Sequence, residues 1–250
     1  MKKTFTLKCG TFGMGRTKIC APIVTGTRED IWTKAEEIAE TAVDIVEWRV
    51  DFYEDVFCPE KVQETLLGLK ERLSQKDILF TFRTKGEGGN LAVDKDTYYG
   101  LNQAAAASGC VALVDLELLF DENRTGLEIQ KVHTAGCRVI TSNHDFFKTP
   151  GLDTMLGRLK LMEEVGADVA KMAVMPRSRQ DVLKLLEASV IADEAISIPL
   201  ITMSMGELGV ISRVAGNLTG SAMTFATVGA ASAPGQIPAH EMAGILGALG

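Results

Sequence analysis

Eight short apolar runs recur 23 to 35 residues apart, and that period constrains the fold more than any other feature of the chain. They begin at Ile19 (ICAPIV), Val43 (VDIVEWRV), Ile78 (ILFTFR), Val111 (VALVDLEL), Arg138 (RVITSN), Asp168 (DVAKMAV), Pro199 (PLITMSM) and Ala222 (AMTFATV). Each gap has room for one strand and one helix. Amphipathic segments fill the gaps at 28–40, 59–74, 95–108, 124–135, 152–165, 178–193, 206–217 and 238–248. Eight such units in series predict a (β/α)₈ barrel, an architecture that typically takes about 250 residues. The chain has 250, so a single α/β domain over 1–250 is expected. Residues 1–18 are the only surplus and read as a short β-hairpin closing one end. An open doubly wound sheet would want a glycine-rich phosphate loop after its first strand, and APIVTGTRED carries no G-x-G-x-x-G. Among the helix starts, Thr27 with Asp30 reads as a capping box, and Thr149 as the cap of a helix opening at Pro150.

Composition narrows the class of function. Charged residues are 24% of the chain, with a formal net charge of −7 and no basic block, which argues against a nucleic-acid or anionic-membrane partner. No apolar run approaches the roughly 18 residues a membrane span needs, and MKKTFTLKCG lacks the apolar stretch of a signal peptide. The five cysteines (Cys9, Cys20, Cys58, Cys110, Cys137) are scattered, without C-x-x-C. This suggests reduced thiols and a cytoplasmic location. Cys58, Cys110 and Cys137 read as buried. The three histidines (His133, His144, His240) lack metal-ligand spacing, so no metal is expected.

Barrel active sites lie at the C-terminal ends of the strands, and alternate strand residues share a face. The late strand positions here are unusually polar: Glu47, Arg49 and Asp51; Thr81 and Arg83, followed by Glu87; Asp115 and Glu117; Ser142 and His144; Lys171. Outward placement would set these charges under apolar helix faces. Inward, they must pair with one another, because an isolated buried charge costs several kcal/mol. Their mixed signs permit that pairing.

Lys171, flanked by Val169, Ala170, Met172 and Ala173, is the sharpest of them. Burial and neighbouring cations both disfavour an ammonium ion, and a neutral amine attacks ketones and aldehydes. Equally, this lysine could snorkel to the barrel mouth or pair with Glu117. His144 suits general acid/base work, or it is a strand-end histidine bonded to main chain. Glu87, in KGEGG, either orients that imidazole or is an exposed loop acid. Arg213 offers a fork for a carboxylate or phosphate, or it is a surface helix arginine. Met203 and Met205 read as packing residues that also line a pocket. The segment 229–238 (GAASAPGQIP) is either a lid or a plain connector.

These segments, in order, resemble those of the type I 3-dehydroquinate dehydratases. They are EWRVD (47–51), FTFRTKGEGG (80–89), VDLEL (114–118), SNHDFFKTP (142–150), ADVAKMAVMP (167–176), ITMSMGELGVISR (201–213), GSAMTF (220–225) and SAPGQI (232–237). The resemblance implies a (β/α)₈ lyase of the shikimate pathway with neither cofactor nor metal, usually a homodimer, acting on 3-dehydroquinate. It implies Lys171 as Schiff-base nucleophile, His144 as proton shuttle and Glu87 as its orienting partner. It also implies Glu47, Arg49, Arg83, Arg213, Ser232 and Gln236 as substrate ligands, with Met203, Met205, Phe225 and Ala233 lining the site. Two positions depart from the pattern. Pro22 stands near where relatives often have a serine, and Phe147 where some have a polar residue. The residues without the resemblance leave a class I aldolase-type barrel open as well. Such enzymes usually want a phosphate nest after strands 7 and 8.

Overall fold

The computed structural model describes residues 2–229 and 235–249. Two short antiparallel strands come first, β1 (Phe5–Leu7) and β2 (Gly10–Phe12). Eight parallel strands follow: β3 (Lys18–Ile23), β4 (Ile45–Arg49), β5 (Asp77–Thr81), β6 (Leu113–Glu117), β7 (Arg138–Asp145), β8 (Val169–Val174), β9 (Leu200–Ser204) and β10 (Met223–Thr227). A two-residue strand, β11 (Ile237–Pro238), adds to β10. Neighbours pair in chain order from β3 to β9, and β10 pairs with β3. A parallel bridge between Leu200 and Ser221, with Ala222 N donating to Leu200 O at 2.8 Å, closes the ring.

The connecting helices are α1 (Arg28–Ala39), α2 (Pro59–Arg72), α3 (Lys95–Ala107), α4 (Thr125–Thr134), α5 (Leu152–Glu164) and α6 (Arg179–Ala195). After β9 come two short ones, α7 (Val210–Val214) and α8 (Gly216–Thr219), and α9 (Ala239–Leu249) is last. Period-2 strands and period-3.6 helices meet at one apolar seam. Val46, Trp48, Phe80, Val114 and Val139 face outward onto helix residues such as Ile31, Ala35 and Ile38. The opposite faces of the same strands point inward. There Ile45, Leu79, Leu113, Ile140 and Val169 fill the N-terminal end of the barrel together with Phe5, Leu7 and Phe12 of the hairpin. Lys8 ties the hairpin down, its amide donating to Asp77 Oδ2 at 2.8 Å.

Three local expectations change. Thr27 does cap α1, accepting from Asp30 N, but α5 starts at Leu152 with Gly151 as its cap. Thr149 instead donates its hydroxyl to Met175 O at 3.1 Å, tying the β7 loop to the end of β8. The expected helix over 206–217 is broken into a 3₁₀ turn (Glu207–Gly209), α7 and α8. Gly209 presses on the end of β9, where a Cβ would sit 2.0 Å from Ser204 O. Finally, Cys110 and Cys137 are buried, but Cys58 is only half-buried, at the start of α2.

Candidate active site

Side chains from the C-terminal strand ends converge on a cavity of about 340 Å³. Its wall includes Pro22, Glu47, Arg49, Arg83, Glu87, His144, Lys171, Met203, Met205, Arg213, Phe225 and Gln236. Of the residues singled out from sequence, Ser232 and Ala233 lie outside the described residues, and so does most of the 229–238 loop. Every other candidate ligand or catalytic group reaches this one space. Phe147 is exposed, away from it.

Lys171 lies mid-strand in β8 and faces inward, its side chain only 3% exposed. Nζ stands 3.1 Å from Asp115 Oδ2 and 3.5 Å from Glu47 Oε1, and 4.7 Å from the centre of the Phe225 ring. Its partners are therefore Asp115 and Glu47, not Glu117. Glu117 is taken by Arg83 Nη1 (3.0 Å) and by the amide (2.8 Å) and hydroxyl (2.7 Å) of Thr84. Arg83 is the hub of this layer, with Nη2 2.8 Å from Asp115 Oδ1 and Nη1 donating to Ser142 Oγ at 2.9 Å. Burial opposes its charge, but Asp115, Glu117 and Glu87 together outweigh burial. Burial likewise opposes the charge of Asp115, and Arg83 and Lys171 hold its carboxyl below the usual range.

His144 and Glu87 form the second element. Register sets Lys171 beside Ser142 and His144 beside Ala173, so the lysine and the imidazole face inward from adjacent strands. Glu87 is buried rather than an exposed loop acid. It sits in a 3₁₀ turn (Lys85–Glu87) that folds back over the end of β5. Gly89 makes that return possible, since a Cβ there would meet Arg83 O at 1.8 Å. Glu87 Oε2 accepts from His144 N and lies 2.9 Å from His144 Nδ1. Burial, then the cations Arg83, Lys171 and Arg49, push the imidazole well below its ordinary value of 6.5. Burial also raises the Glu87 carboxyl to about 7, against the pull of Arg83. The imidazole is thus held neutral, as a proton acceptor must be.

Arg213 is the third element. The break after β9 buries it. Ser212 Oγ donates to Gly209 O (2.6 Å) and accepts from Ser204 N (2.9 Å), anchoring the short α7. Among the described residues, Nε and Nη1 of Arg213 are buried with no hydrogen-bond partner, and burial alone lowers its pKa from the usual arginine value. A buried guanidinium with open donors is costly unless an anion completes it.

Thr81, Asp115, Glu117 and Ser142 stay off the cavity wall but bond to Glu47, Lys171 or Arg83 on it, whereas Asp51 turns aside. Strand β4 ends at Arg49, and the turn Val50–Phe52 breaks the alternation. Asp51 is therefore not on the cavity wall. It takes a two-pronged ion pair from Arg49 (2.9 Å each) and accepts the amides of Arg83 and Asn90. Conversely, sequence reasoning passed over Phe52, Phe146 and Met175, which also line the cavity, and Asn143, which donates to Glu87 Oε1 at 3.0 Å. Asn143 lies between two inward residues of β7, so alternation points it outward. Only the folded-back KGEGG turn brings its partner there.

The sequence profile of the type I 3-dehydroquinases matches residues 19–250. The chain belongs to that family. It is 44% identical over 250 residues to a 3-dehydroquinate dehydratase of Klebsiella pneumoniae, covering all of both chains. It is 46% identical over 239 residues to one from Listeria monocytogenes, covering 96% of this chain and 95% of that one. Its fold superposes with a TM-score of 0.97 on a crystal structure of the type I 3-dehydroquinate dehydratase of Clostridium difficile with covalently modified comenic acid. That comparison covers 100% of this chain and 98% of the other at 42% identity. The barrel with its N-terminal hairpin is therefore the family's architecture, and the resemblance drawn from the eight sequence blocks holds at full length.

Proposed function

We propose that the chain is a lyase that dehydrates 3-dehydroquinate to 3-dehydroshikimate through an imine at Lys171. One observation carries this reading: an inward lysine amine and a neutral imidazole share a small cavity with a buried guanidinium whose Nε and Nη1 have no partner among the described residues. A cyclic keto acid supplies what each lacks, a carbonyl for the amine, an acidic C–H for the imidazole and a carboxylate for Arg213.

The chemistry proceeds in balanced steps. Lys171 Nζ adds to the ring ketone, and with one proton taken up, which hydrolysis of the imine later gives back, one water leaves as the cationic imine forms. Asp115 and Glu47, which pair with the amine, face the imine charge at the same place, and the Phe225 ring adds a cation–π contact. The imine draws electrons from the adjacent carbon. His144 removes a proton there, leaving an enamine. The enamine electrons then expel the β-hydroxyl, to which His144 returns the proton, and a second water departs. One water hydrolyses the conjugated imine and frees Lys171, so the net change is loss of one water. The imine is itself the electron sink, and no cofactor enters these steps.

Glu87 orients His144, while Glu47, Arg49, Arg83, Ser232 and Gln236 bind the substrate's polar groups. Met203, Met205, Phe225 and Ala233 supply the apolar wall. The family likeness further supports a single catalytic unit over 1–250, a homodimer and a cytoplasmic location. No helix among the described residues is long and apolar enough to cross a membrane.

Borohydride trapping with 3-dehydroquinate, read by peptide mass spectrometry, tests the reading. The expected result is a reduced adduct on the Lys171 peptide. Product without an adduct would overturn the imine route. Neither product nor adduct, with turnover of a sugar phosphate instead, would favour an aldolase.

A further inference from the structure

We propose that Arg158 and Asn143 form a positioning relay, running from the outer helix α5 to the active site, that fixes the carboxylate of Glu87 and so governs proton transfer at His144. Neither residue lines the main cavity beside Lys171. The proposal rests on the reading of His144 and Glu87 as the proton-transfer pair.

The geometry is a continuous chain of hydrogen bonds. Arg158 Nη1 donates to Asn143 Oδ1 at 2.8 Å. Asn143 Nδ2 donates to Glu87 Oε1 at 3.0 Å, and Glu87 Oε2 meets His144 at its amide and at Nδ1, both 2.9 Å. An isolated asparagine amide can present either end to a neighbour. A guanidinium has donors only, so Arg158 admits just one orientation, with the carbonyl toward itself and the NH₂ toward Glu87. That NH₂ occupies Oε1 and leaves Oε2 for the imidazole. With the arginine in place Asn143 is only 4% exposed, so the arginine is its contact on that side.

Removing the lock has a definite electrostatic consequence. The groups acting on the Glu87–His144 pair are Arg49 from β4, Arg83 beyond β5, Asp115 and Glu117 from β6 and Lys171 from β8. Asp145 shares the recess behind Glu87 with Arg158. Against burial and the two carboxylates of β6, the Asn143 hydrogen bond is one of the few influences that favour ionised Glu87. If the amide flips, its carbonyl faces the carboxylate instead. Glu87 then holds a proton to higher pH, and the imidazole loses the acceptor that fixes its tautomer.

Arg158→Met is the test, because Arg158 is a half-buried residue of an outer helix. The expected result is a fall in kcat of about 3- to 10-fold, the worth of one hydrogen bond, with KM little changed. The acid limb of the pH profile should move up by roughly half a pH unit, and borohydride-trapped imine should form normally. Arg158→Lys, which still offers a donor to Asn143 Oδ1, should restore most of the loss. In an Asn143→Leu background Arg158→Met should have no further effect. An Arg158→Met variant with wild-type kcat and pH profile, a loss confined to KM, or an undiminished loss in the Asn143→Leu background would overturn the relay. If instead the wild type fails to dehydrate 3-dehydroquinate, or His144→Ala turns over normally, the parent reading falls and takes the relay with it.

Discussion

The two ends of the barrel bury charge in different ways, and the lysines show it most clearly. At the N-terminal end Lys18 and Lys76 are 7% and 8% exposed, nearly as buried as Lys171 at 3%. Lys18 Nζ donates to Cys9 O (3.1 Å), and Lys76 Nζ to Thr41 O (2.9 Å) and Val43 O (2.7 Å). Burial even lowers the pKa of Lys76 from its usual value. Yet neither amine lines the cavity beside Lys171, and both donate to main-chain carbonyls. Lys171 instead meets side-chain carboxylates and an aromatic face on the wall of an open space. Burial of a lysine is therefore a poor sign of chemistry by itself. What separates the two ends is whether the partners are complete within the protein. At the C-terminal end they are not complete among the described residues, where Nε and Nη1 of Arg213 have no hydrogen-bond partner.

The comparison breaks if the two kinds of lysine respond alike. Lys171→Ala should bind substrate, form no trappable adduct and lose at least about a thousand-fold in kcat, as removal of a nucleophile typically does. Lys76→Met should keep kcat and KM. It should instead lower stability by about 1–3 kcal/mol, because two carbonyls lose their donor; denaturant melts would measure this. Normal turnover in the first variant, or a catalytic defect in the second, would erase the distinction. His144→Ala should follow with a loss of about 10²–10⁴. Because imine formation precedes proton removal, this variant should accumulate adduct. A single-turnover mass spectrum without it would count against the assigned order of steps.

Arg213 sharpens the contrast, since its cost and its use fall on different states. Arg213→Met should lower kcat/KM by about a hundred-fold, in line with the loss of one partner of a buried charge pair. The same change relieves the ligand-free protein of a buried charge whose Nε and Nη1 have no partner among the described residues. Its Tm without substrate should rise, by about 2–4 °C per kcal/mol recovered. A fall in Tm would mean that the guanidinium is already satisfied in the free enzyme and that the site is not waiting for an anion.

Much of this was legible in the sequence, and the misses have physical causes. The strand–helix period placed all eight barrel strands, because alternating and helical apolar patterns are direct consequences of burial. Alternation likewise gave the face on which Lys171 lies. It did not give the partner: the register even sets Glu117 level with Lys171 through Ser142, but Arg83 and Thr84 occupy Glu117 and leave Asp115 to the lysine. It failed outright at Asp51, one residue past the point where β4 turns into a 3₁₀ turn. The break after β9 was hidden because its cause is the closeness of Ser204 to Gly209, a tertiary contact. Asn143 and Arg158 were invisible for a similar reason. Their partner arrives from a different loop, and neither pattern nor charge sum records that.

The smallest effect expected is also the most specific to the mouth of the barrel. His144 has its pKa depressed by burial and nearby cations. Below its ordinary value of 6.5 the unfolded chain binds a proton that the folded protein refuses, so this group makes stability fall as pH drops. Glu87 is raised to about 7 by burial. Its contribution is fully present below the ordinary carboxylate value of 4.5 and is lost as pH rises through about 7. As pH falls below 6.5 the unfolded chain gains a proton on His144 while the folded pair already holds one on Glu87, so the two slopes oppose each other. Glu87→Gln should uncover the histidine. Its unfolding free energy should then fall below pH 6.5 more steeply than that of the wild type, by at most about 1.4 kcal/mol per pH unit. Identical slopes in both proteins would show that the pair does not share its proton in this way. Lys76→Met, at the far end, should leave the slope in that window unchanged.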